Sequence, residues 1–197
     1  MGIGRLEAFS DGVLAIIITI MVLELKVPHG ATLADIKPLL PVFLSYVLSF
    51  IYVAIYWNNH HHMLQAAKVV NGSVLWANSH LLFWLSLIPF ASGWMGENHF
   101  APLPVATYGF VLLMAGIAYY FLAHCLIDLH GKKSTLAIAI GKDRKGIISV
   151  IIYPIGMGLA FYNQWLGFAM YVCVAALWFI PDRRIENVVD KNYKKVE

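Results

Sequence analysis

From Pro38 to Ala67 the chain has no Lys, Arg, Asp or Glu, and between Lys145 and Asp182 it again has none. Apolar runs of roughly 18 residues or more without charge read as membrane-crossing helices. These two runs commit the chain to folding in a bilayer. Composition agrees: of 197 residues, 60% are hydrophobic and 13% charged, mean hydropathy is +0.70, and the charges gather in blocks between the apolar runs. That profile belongs to an integral membrane protein, not to a soluble domain. The first apolar run begins almost at once, with no small-residue cleavage site behind it, so no cleaved leader is expected. Met1-Gly2 lacks the Ser or Thr that a myristoylation signal needs at position 6, where Leu6 stands. Cys125 and Cys173 lie inside apolar runs, which offers neither a disulfide framework nor a metal-binding knuckle.

Six helices are expected, at about residues 5–27, 38–66, 74–95, 102–127, 146–162 and 165–181, followed by a basic tail at 182–197. Pro28 and Gly30 close the first, Pro102 and Pro104 open the fourth, and Asn163-Gln164 divides the last charge-free run into two short crossings. The reading is one all-α transmembrane domain spanning residues 1–197. Six crossings place both termini on one side. That side carries Arg5, Lys68, Lys132, Lys133, Lys142, Arg144, Lys145, Arg183, Arg184, Lys191, Lys194 and Lys195, against only Lys26 and Lys37 opposite. The positive-inside rule then makes both termini cytoplasmic, in the cell (inner) membrane. The net charge of +3 is topological and needs no nucleic acid to explain it.

The first helix is unusual in carrying carboxylates close to its middle. Between Asp11 and Glu24 only the twelve residues Gly12 to Leu23 are uncharged. They cover roughly 18 Å of a hydrocarbon layer about 30 Å thick. An ionised group at that depth faces protein or water and marks a pathway. Ile16, Ile20 and Leu23 recur at i, i+4 and i+7 on one face, flanked by Thr19 and extended by Gly12 and Phe9. Such a stripe either packs on helices and lipid or forms a dry waist that gates by dewetting. The Thr19 hydroxyl either touches a permeating ion or bonds back to the Ala15 carbonyl.

The run R-L-E-A-F-S-D from Arg5 to Asp11, the aliphatic run behind it, and Y-W-N-N-H-H-H-M at the end of the second helix carry a resemblance. This pattern resembles the R-x-x-x-F-S-D signature of the transmembrane protein 175 family, potassium channels of animal endosomes and lysosomes that also occur in prokaryotes. The resemblance implies a passive, potassium-preferring cation channel: a homotetramer of single six-helix repeats in membrane lipid, its first helices lining the central pore. It implies a constriction formed by Ile16, Ile20 and Leu23, with Thr19 beside it. It also implies monovalent cations as partners, potassium as the permeant ligand, and no cofactor. Arg5, Phe9, Ser10 and Asp11 form the signature.

Ser10 and Asp11 need polar partners at that depth. Asn58, Asn59, His60, His61 and His62 at the end of the second helix, and Asn78 and His80 at the start of the third, are the candidates for a structural hydrogen-bond network. Three consecutive imidazoles point about 100° apart on a helix, so they do not converge on a metal. Ala106 to Phe110 is similar to a T-V-G-Y-G filter, yet it simply opens the fourth helix without a re-entrant loop. Two other classes compete with a channel. A secondary transporter would show inverted repeats and mid-span helix breaks, and the first helix has no such break. A membrane enzyme would need a nucleophile–base or metal motif, and none accompanies Asp11.

Overall fold

A computed structural model of the chain describes residues 2–67, 69–131, 134, 137 and 144–179. Lys68, Lys132, Lys133, Lys142 and the tail at 182–197 lie outside the described residues. Among the described residues all regular structure is helical. α1 is Gly4–Leu23. A short α2 (Leu33–Ile36) and a 3₁₀ turn (Lys37–Leu39) lead into α3 (Leu40–Gln65). α4 (Gly72–Ser86) and α5 (Ile88–Glu97) are two halves of the third crossing. They are followed by α6 (Pro102–His130), α7 (Arg144–Tyr162) and α8 (Gln164–Phe179). Five crossings are long and apolar enough to span a membrane, and α8 is a shorter apolar helix of 16 residues.

Most ends fall within three residues of the expected ones, and the larger departures are at the end of α1 and inside the third crossing. α1 stops at Leu23 and not near Val27. The Leu25 amide bonds the Val22 carbonyl, tightening the last turn, and Pro28 disfavours helical backbone at Val27. The third crossing is broken at Leu87. Pro89 has no N–H to give the Leu85 carbonyl, and its ring crowds that turn. The Leu87 amide instead bonds Trp84, and the Ala91 amide restarts the ladder on Leu87.

The core lies around α6, which buries Val105, Tyr108, Leu112, Ala115, Leu122 and Leu126 against α4, α5 and α7. Ser49 of α3 hydrogen-bonds the Tyr108 hydroxyl at 3.0 Å, and the Tyr52 hydroxyl donates to the Tyr171 carbonyl at 2.7 Å, tying α3 to α6 and α8. α7 and α8 pack backbone to backbone: a Cβ on Gly167 would meet the Gly156 carbonyl at 2.7 Å and Ala160 at 2.9 Å. That contact is the close approach small residues permit between membrane helices. α1 joins this core at its edge, packed on α3, α4 and α5. It buries a single face, Leu6, Ser10, Leu14, Ile17 and Met21.

Candidate functional site

Ser10 sits on the buried face of α1. Its hydroxyl donates to the Leu6 carbonyl one turn back at 2.8 Å, which leaves its lone pairs for another helix. The Asn78 amide nitrogen of α4 donates to Ser10 Oγ at 3.0 Å. Asn78 Oδ1 lies 2.7 Å from His60 Nε2 of α3. An amide oxygen only accepts, so the His60 Nε2–H is the donor. Ser10 and Asn78 are wholly buried and His60 is 3% exposed. One amide thus joins three crossings with its hydrogen-bonding atoms on both sides matched, as a dry interior requires.

Asp11 leaves this line. It accepts from Trp57 Nε1 of α3 at 3.0 Å, and the Trp57 ring stacks on His61 at 5.8 Å and 18°. His61 Nδ1 in turn lies 3.3 Å from Glu7 Oε1. Glu7 and Asp11 are four apart on α1, and Trp57 and His61 four apart on α3. Residues at that spacing share a helix face, so the two pairs meet as two rungs. The three histidines go to different neighbours: His60 to Asn78, His61 to Glu7, and His62 against the His61 ring.

The other expected partners are engaged elsewhere. The Asn59 amide donates to its own Ile55 carbonyl, and His80 accepts from Trp84 Nε1 at 2.9 Å. Asn58 is exposed. Neither Glu7 nor Trp57 was among the expected partners. Trp57 reads in sequence as an interfacial aromatic, and only the matched spacing of four on both helices hinted at the rungs.

Tied down on one side, α1 presents its other side outward. Ile16 is 59% exposed and Leu23 77%, Ile20 is exposed beside them, and Ile17 is 3% exposed. Arg5, Phe9 and Gly12 continue the exposed strip toward the N-terminus. Asp11 is not part of it, since five residues before Ile16 lies about 140° round the helix. Thr19 borders the strip, and its hydroxyl donates to the Ala15 carbonyl.

At the far end, Lys26 pairs with Glu97 of α5 at 2.7 Å. Glu24 lies against Gly93, close enough that its Oε2 would be 2.7 Å from a Cβ there. Burial, and then the charge of Glu97, hold the Glu24 carboxyl above its ordinary range. The helix therefore has an aliphatic strip turned away from its own subunit and acidic groups near both ends. Among the described residues, no group of three or more His, Cys, Asp or Glu is placed to hold a metal ion.

Residues 5–89, from the first motif through the break at Leu87, match the family described as "Endosomal/lysosomal potassium channel TMEM175". A potassium channel of Chryseobacterium sp. (strain P1-3) is 57% identical over 189 residues, covering 96% of this chain and 98% of that one. The crystal structure of a lysosomal potassium-selective channel TMEM175 homologue from Chamaesiphon minutus superposes with a TM-score of 0.79 at 27% identity, covering 91% of this chain and 97% of that one. An endosomal/lysosomal proton channel TMEM175 of Gallus gallus is 35% identical over 71 residues, 30% of this chain and 14% of the relative.

Proposed function

Because the chain belongs to the TMEM175 family of potassium channels, we propose that it is a passive, potassium-preferring cation channel formed by four copies around a shared axis. The chain is a membrane protein and not an enzyme. In this reading residues 1–197 form one six-crossing channel domain, and α1 alone lines the axis. Ile16, Ile20 and Leu23 narrow the path, with Thr19 beside them. Ser10 and Asp11 set the rotation and footing of α1 and do not bind ions, while Arg5 and Phe9 of the signature lie on the outward strip and outside that network. Potassium is the permeant ligand, no cofactor is needed, and both termini are cytoplasmic in the inner membrane, with lipid around the outer helices.

One observation carries this reading. The buried network and the hydrophobic contacts of α1 leave the strip of Ile16, Ile20 and Leu23 exposed on its own subunit, at 59%, 44% and 77%. Four such strips meeting on an axis would enclose a dry waist, and apolar constrictions of that kind govern conduction by dewetting. The acidic groups near the ends turn to their own subunit instead: Glu7 and Asp11 meet His61 and Trp57 of α3, and Glu24 lies against Gly93 of α5.

The deciding experiment is reconstitution of the full chain with current recording under a KCl/NaCl gradient. Linear current reversing toward the potassium potential is the expected result. Saturable flux coupled to a second ion would favour a secondary transporter. The avian relative named as a proton channel makes an imposed pH gradient the natural second condition.

A further inference from the structure

A cavity lies remote from α1. α3, α6, α7 and α8 enclose a groove of about 680 Å³. That is within the range of about 300–1,000 Å³ typical of ligand sites. Protein interiors do not keep voids much larger than a water molecule, and an apolar void is not filled by water. Tyr120 and Ile151 line this groove and are themselves exposed, so it opens sideways toward the bilayer.

Its polarity is graded along its length. The deep end, at Tyr52, Gly116 and Tyr153, lies midway along α3, α6 and α7. The other end collects Asn59, His124 and Arg144, on the side of the membrane where α1 begins. Between Gly116 and Ile127 the α6 wall runs about 16 Å along its axis. Among the described residues no carboxylate lines the groove. Trp178 forms part of the wall and is braced: its indole N–H donates to Ser149 Oγ at 2.9 Å, and Lys145 Nζ sits 5.8 Å over its ring. Arg144, the first residue of α7, is left at the mouth with a guanidinium suited to paired contacts with phosphate.

We propose that this groove binds one anionic phospholipid from the leaflet on the N-terminal side, an acyl chain between α6 and α7 and its phosphate at Arg144. Charge complementarity at the mouth and the bilayer-facing opening choose this occupant. A basic group at the membrane surface above an apolar slot recognises lipid head and tail together. Gly116 keeps the slot open. A Cβ there would meet only Tyr56 Oη at 3.7 Å and Tyr153 Cε2 at 3.9 Å, ordinary contacts. The Cβ of Gly116→Leu is therefore accommodated, and its branched end is directed to fill the slot.

The test uses full-length protein in phosphatidylcholine vesicles containing a small fraction of phosphatidylglycerol with a photoactivatable diazirine on one acyl chain. A parallel set carries the same diazirine on phosphatidylcholine, and crosslinked peptides are mapped by mass spectrometry. The phosphatidylglycerol probe is expected to label groove residues such as Ile117 and Ile151 well above the phosphatidylcholine probe. Arg144→Gln should cut that labelling by about fivefold, the scale of one basic residue at an anionic surface. Gly116→Leu should abolish groove labelling while leaving labels at exposed Phe90 of α5. Equal labelling by both probes, unchanged in Arg144→Gln, would mean ordinary annular lipid and overturn the proposal, as would no label in the groove. If Gly116→Leu does not fold, the wild type and Arg144→Gln still decide. The readout is lipid position, so it is independent of whether the chain conducts ions.

Discussion

Asn78 uses both ends of its amide on other helices, so its removal leaves two groups unmatched. A buried donor or acceptor without a partner costs about 1–3 kcal/mol. Asn78→Ala is expected to lower thermal stability more than Ser10→Ala, because Ser10→Ala leaves the His60 bond in place; melting of the two purified variants checks the order. Ile16 and Ile17 separate differently. Ile17→Ala opens a hole in a packed face at about 2 kcal/mol or more and should reduce stability while leaving permeation unchanged. Ile16→Ala should leave stability alone, raise conductance and weaken potassium over sodium discrimination. A larger permeation effect at position 17 would move the proposed pore strip.

Glu24 offers a pH test. Burial and Glu97 hold its folded pKa above the unfolded one, so folding is favoured below the unfolded value and penalised as pH rises through the folded value. Glu24→Gln should therefore raise Tm at neutral pH, with the gain vanishing in acid; a gain that grows in acid would contradict this sign. At this scale the polar residues near Ser10 were legible in sequence, but their pairing was not. Three histidines at 100° steps are equivalent until a fold chooses which one points inward.

The helices themselves were the most legible level, because long charge-free runs leave a chain few alternatives in a bilayer. The break at Leu87 was not, since a proline is as much at home in the first turn of a helix as at a kink. Only the Trp84 and Leu87 hydrogen bonds show which applies. The tight pairing of α7 and α8 was half visible: Gly156 and Ala160 mark a small-residue face, but their opposite number is Gly167. Adding a side chain there drives it into the Gly156 carbonyl. Gly167→Leu should split the hairpin and sharply reduce the yield of folded protein. Gly158→Ala, which meets nothing within 4 Å, should be neutral or slightly stabilising on helix propensity. Equal yields of the two variants by size-exclusion chromatography would refute the close contact.

For the whole molecule, the decisive quantity is the number of copies. A subunit that turns Ile16, Ile20 and Leu23 away from its own core has those residues covered by lipid or by other copies, and the channel reading requires other copies. A detergent-corrected mass is expected at four times 22.0 kDa. A stable monomer would leave the channel reading without a pore. Nothing in one chain's sequence states a copy number, since the residues that would meet on an axis look like any lipid-facing stripe.

The Ser10–Asn78 bond also has a consequence for the order of synthesis. The two residues are 68 positions apart. At about 5–20 residues per second a ribosome takes roughly 3–14 s to travel that far. During this interval only the second crossing is available to pack on the first, whose serine is satisfied by its own helix through Leu6. When the third crossing arrives, Asn78 can reach Ser10 and His60 together only if all three segments sit at matching depths. The buried amide thus works as a depth gauge during assembly: a segment threaded one turn too far, about 5.4 Å, leaves it unmatched.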